Sequence, residues 1–360
     1  MNKQSWQIAA AYMSVVVGGG FASGQEVLQF FTGYGMAGVI GTLVSAALFA
    51  FLGMQIARMS SSMQANSHKK VLYTLFGTRA GFVMDVVLSF FLFGVGVVML
   101  AGSGSIFAQQ YAWPPLVGGV FMTILVIATL CLNVRGIIRL ISIIMPILLL
   151  LILAITTYSI FTSNVANDTL NEVAKEIPTI SSDWPVSSWF FGAVLYASFN
   201  IAVGFPMLAV IGGMTRSQKT AASGGAMGGL GLGLLIFLLN IGLFANIDTL
   251  IGVEMPTLGL ASNISPVLAV IMSVTLICMI YSTAVGMFFA FSTRFATPGT
   301  KGFKWLSAFF AVVGLGLSQL GFSKLIGTVY PMLGIVGLIM IVAIILAWVR
   351  SRNQPAQIPS

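Results

Sequence analysis

Ser14-Val15-Val16-Val17-Gly18-Gly19-Gly20-Phe21-Ala22-Ser23-Gly24-Gln25-Glu26 lies in an apolar run long enough to cross a membrane, yet it is a poor sequence for a continuous helix. Each glycine inside a helix costs about 1 kcal/mol relative to alanine. Small residues do let membrane helices approach closely, but that use places them at intervals of four. Gly18, Gly19 and Gly20 are consecutive and would point around the helix. The spacing therefore predicts an unwound stretch. In lipid, unpaired backbone groups survive only around a cavity or a ligand.

The rest of the chain is consistent with that solvent. Its 360 residues are 58% hydrophobic and 7% charged, with a mean hydropathy of +1.02, whereas a soluble domain is about 25% charged. Ten apolar runs read as spans: 5–32, 36–58, 80–109, 114–133, 136–162, 185–213, 219–246, 263–294, 303–320 and 324–350. With the N-terminus inside, Lys3, Arg58, Lys69, Lys70, Arg79, Arg135, Arg139, Arg216, Lys219, Arg294, Lys301, Lys304, Arg350 and Arg352 fall on the inner side. Only Lys175 and Lys324 fall outside. This positive-inside pattern accounts for the net charge of +8 without a nucleic-acid partner. The chain reads as a multi-pass membrane protein with both termini cytoplasmic.

Span 5 carries Arg139-Leu140-Ile141-Ser142 and then Pro146-Ile147-Leu148, while span 10 carries Lys324-Leu325-Ile326-Gly327 and then Pro331-Met332-Leu333. The offset from Pro146 to Pro331 is 185 residues, and Gly20-Phe21 matches Gly204-Phe205 at an offset of 184. Two matches at nearly one offset divide the chain into a first repeat at 1–162, an outer connector at 163–184, a second repeat at 185–350 and a disordered tail at 351–360. Five spans is an odd number, so the halves must be inverted, a plan common among secondary transporters. The fold class is thus all-α, a 5+5 inverted repeat. Apolar stripes at 71–76 and 170–177 predict amphipathic connecting helices, and the loop at 247–262 occupies the place that 59–79 has in the first half.

Span 6 supplies a partner break in Tyr196-Ala197-Ser198-Phe199-Asn200-Ile201-Ala202-Val203-Gly204-Phe205-Pro206, because proline disrupts an unbroken helix. Paired breaks near the bilayer midplane mark a binding site. A half-helix starting near Ala22 would turn free N–H groups toward an anion such as a carboxylate. The carbonyls ending the first half-helix, from Ser14 to Gly18, suit a cation. Ser282 and Thr283 in span 8 are adjacent hydroxyls that either complete a sodium site with Ser14 and Val17 or bond the carbonyl one turn back. Glu26 is an ionisable group at membrane depth, hence a functional candidate; carrying a proton and contacting a substrate amine are both open. Substrate contacts are thus expected from Gly18, Gly19, Gly20, Phe21, Ala22, Ser23, Gly24, Glu26, Phe199, Asn200 and Gly204.

Other residues read more plainly. Asp85, in the first turns of span 3, complements a helix dipole, and His68 reads as a solvated loop residue. Glycines between 224 and 233 fall in a span and read as helix packing rather than a phosphate loop. Cys131 and Cys278 sit in apolar helix, which disfavours a structural disulfide. The first hydrophobic run is too long for a cleaved signal peptide. No catalytic triad or metal-spaced His/Cys cluster is present, so an enzyme is not expected. No cofactor is expected beyond a coupling ion.

The GGGFASGQE stretch at 18–26, together with the ten-span plan, resembles the YkvI-type bacterial amino-acid permeases. That family is placed in the amino acid-polyamine-organocation superfamily, which has the leucine-transporter fold. The resemblance spans essentially the whole chain. It implies a bundle holding substrate between broken spans 1 and 6, flanked by spans 3 and 8, with Ser14, Val17, Ser282 and Thr283 at the superfamily's sodium position. The implied activity is secondary transport of an amino acid or related amine, coupled to Na+ or H+. A passive channel and a non-transporting sensor are the alternatives on the same fold. The chain ends after ten spans, without the two more that many relatives carry, and the oligomeric state stays open.

Overall fold

The computed structural model describes residues 2–132, 135–162, 167–180 and 188–353; side chains at 132–145, 163–169 and 351–353 lie outside the description. Much of the expected connector and the last seven residues of the expected tail therefore lie outside it. The described chain is helical, with no strand among the described residues.

Each apolar run coincides with helix. The first becomes three short pieces: α1 (Lys3–Val16), α2 (Gly19–Ser23) and α3 (Gln25–Phe30). Then come α4 (Met36–Ser62), α5 (His68–Tyr111), α6 (Pro115–Leu132), α7 (Arg135–Thr162) and the short α8 (Asn167–Ala174). The second half contains α9 (Trp189–Met214), α10 (Gln218–Phe244), α11 (Pro256–Ile264), α12 (Pro266–Ser292), α13 (Lys301–Ser318) and α14 (Phe322–Asn353). Six of these are long and apolar enough to cross a membrane: α4, α5, α9, α10, α12 and most of α14. The protein is an all-helical, multi-pass membrane protein.

The starts of several helices follow from capping chemistry. Ser188 Oγ accepts from Phe191 N at 3.1 Å, Ser217 Oγ from Thr220 N at 3.3 Å and Thr300 Oγ1 from Phe303 N at 3.2 Å. Pro266 opens α12 at a position where its missing N–H leaves nothing unpaired. The amphipathic stripe after span 2 is indeed helical but continuous with span 3; Gly77, at φ 77°, marks the kink where the two join. The outer stripe is helical as α8, and the 247–262 loop holds a short 3-10 turn and most of α11.

Helices α4 and α10 pack backbone against backbone. A Cβ on Gly225 would strike the Gly53 carbonyl, one on Gly229 the backbone of Phe49, and one on Gly233 the Ala46 side chain. Glycines four apart here bring two backbones together, which is the packing role expected of that stretch.

Three expectations need correction. Span 6 is not broken: α9 runs unbroken through Pro206. A proline removes only its own N–H, whereas unwinding would strand several backbone groups in lipid, so the helix continues. Asp85 does more than complement a dipole, because it is buried in an ion pair with Arg294 of α12. His68 is not a free loop residue; it opens α5, half-buried, with Nε2 at 3.3 Å from Asp85 Oδ1.

Candidate functional site: a break beside a small cavity

Helix α1 ends because Val17 leaves helical geometry at ψ 84° and Gly18 is extended at ψ −171°. Gly18 N–H turns back to the Val16 carbonyl at 2.9 Å, and Gly19 N–H donates to Thr283 Oγ1 of α12 at 3.3 Å. Those two amides would have served the carbonyls of Ser14 and Val15 in a continuing helix. The break thus leaves acceptors without their ordinary donors, at the C-terminal end of α1 where the dipole is negative.

The second part of the span is shorter than a half-helix. Helix α2 holds five residues and closes on Gly24, whose left-handed φ of 81° suits glycine. It starts at Gly19 rather than near Ala22, and five residues develop little macrodipole. Ser23 Oγ donates to Gly20 O at 2.6 Å and accepts from Gln25 N at 3.2 Å, tying the two pieces together. From α11, Thr257 Oγ1 donates to Ala22 O at 2.7 Å. Gln109 exchanges two hydrogen bonds with the Met255 backbone, at 3.1 and 3.0 Å, and Ser105 donates to Glu254. The loop carrying α11 thus closes over one end of the broken span and binds it to α5.

Beside the break lies a cavity of about 30 Å³, room for one or two waters. Gly18, Gly19, Gly20 and Glu26 line it, opposite Phe199 and Asn200 of α9, Thr283 of α12 and Tyr330 of α14. Glu26 is 4% exposed, and its Oε2 has no hydrogen-bond partner. The Tyr196 and Tyr330 hydroxyls stand beside that carboxyl. Phe199 stacks on Tyr330 with ring centroids 4.8 Å apart. Asn200 Nδ2 donates to the Tyr196 carbonyl one turn back, at 3.1 Å, which supplies the partner that a mid-span amide needs. A Cβ on Gly20 would fall onto the Glu26 carboxylate, so this glycine makes room for the acid.

The expected residues therefore divide. Gly18, Gly19, Gly20, Glu26, Phe199, Asn200 and Thr283 share one cavity. Phe21, Ala22, Ser23, Gly24 and Gly204 lie outside its lining and hold the break in place; Gly204 packs on Tyr12 and Val16. Ser14 Oγ donates to Ala11 O at 2.9 Å, and Ser282 Oγ to Met279 O at 2.8 Å. Thr283 Oγ1 also donates to Met279 O, at 3.0 Å, so the one-turn-back bond exists at all three hydroxyls. Val17 is fully buried at the break. Sequence reasoning missed Tyr196 and Tyr330; each is a phenol at membrane depth, where a hydroxyl calls for a partner.

Helix α5 reaches α12 once more at the basic end of the bundle. Asp85 receives Arg294 through both Nη1 and Nη2, the latter at 2.8 Å, with Lys69 Nζ at 3.4 Å. Burial lowers the pKa of His68, and the positive charges of Arg294 and Lys69 act in the same direction. Together they outweigh the Asp85 carboxylate, which acts the other way.

No protein-family model matches the sequence. The chain is 26% identical over 343 residues to the uncharacterized membrane protein YkvI of Bacillus subtilis (strain 168), covering 94% of each chain. It is also 26% identical over 355 residues to the B. subtilis protein YyaD, covering 96% of this chain and 99% of that one. Among solved structures, MhsT in complex with L-phenylalanine superposes with a TM-score of 0.65 at 19% identity, over 96% of this chain and 89% of that one. The inward-facing conformation of Mhp1 gives 0.60 at 14% identity, over 98% and 78%. A substrate-bound, outward-open Na+-coupled sialic acid symporter gives 0.59 at 15% identity, over 95% and 78%. The resemblance thus extends along nearly the whole chain: in sequence it is similar to YkvI and YyaD, and in fold it is similar to MhsT and Mhp1, the leucine-transporter fold.

Proposed function

We propose that the protein is a secondary active transporter, moving an amino acid or related amine by alternating access, coupled to Na+ or H+. The observation that carries this reading is the interrupted first span, opened beside a buried cavity lined by Glu26, Asn200, Thr283 and Tyr330. A cavity of this size has no room for the cargo, so in this reading one group of helices rocks to open it. In this reading, bare peptide groups of residues 18–20 and the Glu26 carboxylate face a substrate's charged ends, against the Phe199 ring. The Ser14 and Val17 carbonyls, with Ser282 and Thr283, hold the cation.

The architecture we assign is ten spans in a 5+5 inverted repeat, with only the first span broken. Helix packing supports the exchange of halves. The pair α1–α10 corresponds to α9–α4, α10–α7 to α4–α14, α12–α7 to α5–α14, and α13–α5 to α6–α12, and every one of these pairs is in contact. We further assign both termini to the cytoplasm, on the charge pattern, and the protein to the plasma membrane of a bacterium, on its similarity to the B. subtilis proteins. A cation descending a 100 mV potential provides about 2.3 kcal/mol, enough for uptake without ATP.

The test is reconstitution into liposomes. Saturable uptake of a labelled amino acid or amine, driven by an imposed Na+ or H+ gradient, is the expected result. Large unitary currents would mean a channel instead, and ligand binding without flux would mean a sensor.

A further inference from the structure

A second cavity is remote from the break and is not used by the proposed transport cycle. It has a volume of about 210 Å³ and lies where α4, α10 and α14 meet at the basic end of the bundle. Among the residues that line it are Gln55, Arg58 and Ser62 from the end of α4, Gln218 from the start of α10, and Trp348 from α14. Gln55 is only 7% exposed and faces this cavity without a hydrogen bond to any described residue. Its amide opens onto the cavity, where it is available to an arriving group. Arg58 forms no ion pair among the described residues.

We infer that this cavity binds the phosphate headgroup of an anionic membrane phospholipid. Three features select a phosphate. Arg58 offers a guanidinium fork to phosphate oxygens. Gln55 offers two amide N–H groups from the buried wall. Helix α10, 27 residues long, begins at Gln218, and its first amides point positive charge into the same space. Its cap Ser217 serves Thr220 N, so it leaves the amides of Gln218 and Lys219 for a ligand. Two further features select a lipid over a soluble anion. Trp348 stands at the rim, as tryptophan does at membrane interfaces. Ile345, one turn from Trp348 on the same helix, is an exposed apolar residue beside which an acyl chain can lie. Arg216, Lys219 and Arg350, all close in sequence to the lining residues, add a positive field at this end.

The purified full chain in nonionic detergent is titrated with short-chain phosphatidylglycerol, short-chain phosphatidylcholine or inorganic phosphate. Retained adducts are read by native mass spectrometry and the thermal midpoint in parallel. Phosphatidylglycerol is expected to remain bound and raise the midpoint, while phosphatidylcholine and inorganic phosphate do neither. Arg58→Gln should weaken that retention roughly tenfold, the scale of one charged hydrogen-bond donor. Gln55→Leu should weaken it too, Arg58→Lys should hold part of it, and Lys304→Gln, away from the cavity, should leave it unchanged. Equal retention of the two lipids by the wild type, or full retention by a folded Arg58→Gln, overturns the assignment. So does stabilisation by inorganic phosphate equal to that by phosphatidylglycerol, which would mark a site for a soluble anion.

Discussion

Arg294, at the end of α12, holds Asp85 of α5 with both guanidinium nitrogens, joining residues 209 positions apart in the chain. The carboxylate side chain is 5% exposed and the arginine 25%, so each ion is largely cut off from water and depends on the other. Removing one partner of a buried pair strands the remaining charge at a cost of about 3 kcal/mol or more, while replacing both costs much less. Asp85→Asn and Arg294→Gln should each lower the stability of the protein by roughly that amount, measured by unfolding in a denaturing detergent. The double variant should recover a large part of the loss. Equal, additive losses would mean the two residues act independently.

The same cluster predicts a response to pH. Because the folded protein lowers the pKa of His68, the unfolded chain takes up a proton more readily than the folded one. Stability attributed to neutral His68 is therefore complete above the ordinary histidine value of about 6.5. It diminishes as pH falls through that value toward the lower, folded one. The thermal midpoint should drop between pH 7.5 and 5.5 in the wild type and drop less in His68→Gln. An unchanged pH profile in the variant would remove His68 from the account.

Thr283 Oγ1 accepts from Gly19 N and donates to Met279 O, which leaves one lone pair for a cation next to the α1 carbonyls. If sodium is the coupling ion, Ser282→Ala combined with Thr283→Val should abolish sodium stimulation of uptake. Thr283→Ser, which keeps the oxygen, should preserve it. Sodium stimulation that survives the double variant would assign coupling to another group.

Two glycine substitutions should fail in different ways. On Gly229 a side chain would collide with the Phe49 backbone, which cannot yield, so Gly229→Leu should fail to give folded protein. On Gly20 the obstacle is the Glu26 carboxylate and the Tyr330 hydroxyl, the ends of side chains that can swing aside. Gly20→Ala should therefore fold and lose uptake, by about tenfold or more if the carboxylate is displaced by an ångström. A folded, fully active Gly20→Ala would show that this acid need not sit where the structure has it.

These contrasts also mark what sequence can and cannot disclose. Consecutive glycines at 18–20 and glycines spaced by four at 225, 229 and 233 state opposite local demands, and the backbone meets both. Such demands are intrinsic to the chain, so the break at Val17–Gly18 could be read in advance. Pro206 could not be read in the same way. Whether a proline unwinds a helix depends on whether the surroundings would satisfy the freed backbone groups, and inside α9 the helix persists. Partners contributed by distant segments were equally hidden: neither Arg294 nor Tyr330 bears a local sign of Asp85 or Glu26. His68 was misjudged because a position beside two lysines looks solvated until α5 is seen to fold it onto Asp85.

Glu26 gives the most direct test of the transport reading. Its Oε2 lacks a hydrogen-bond partner, although the Tyr196 and Tyr330 hydroxyls stand beside the carboxyl. A buried carboxylate oxygen left unsatisfied in an otherwise packed site describes a place prepared for a donor that arrives from elsewhere. That donor is either a substrate ammonium or a transported proton, and the two differ in what a neutral isostere does. Glu26→Gln keeps the shape and one acceptor oxygen but removes the charge. If the carboxylate holds an amine, the variant should bind substrate at least tenfold more weakly at every pH, the scale of a lost charged hydrogen bond. If it carries a proton, binding should persist while uptake no longer responds to an imposed pH gradient. Uptake with wild-type affinity and wild-type pH response in Glu26→Gln would take the acid out of the mechanism altogether.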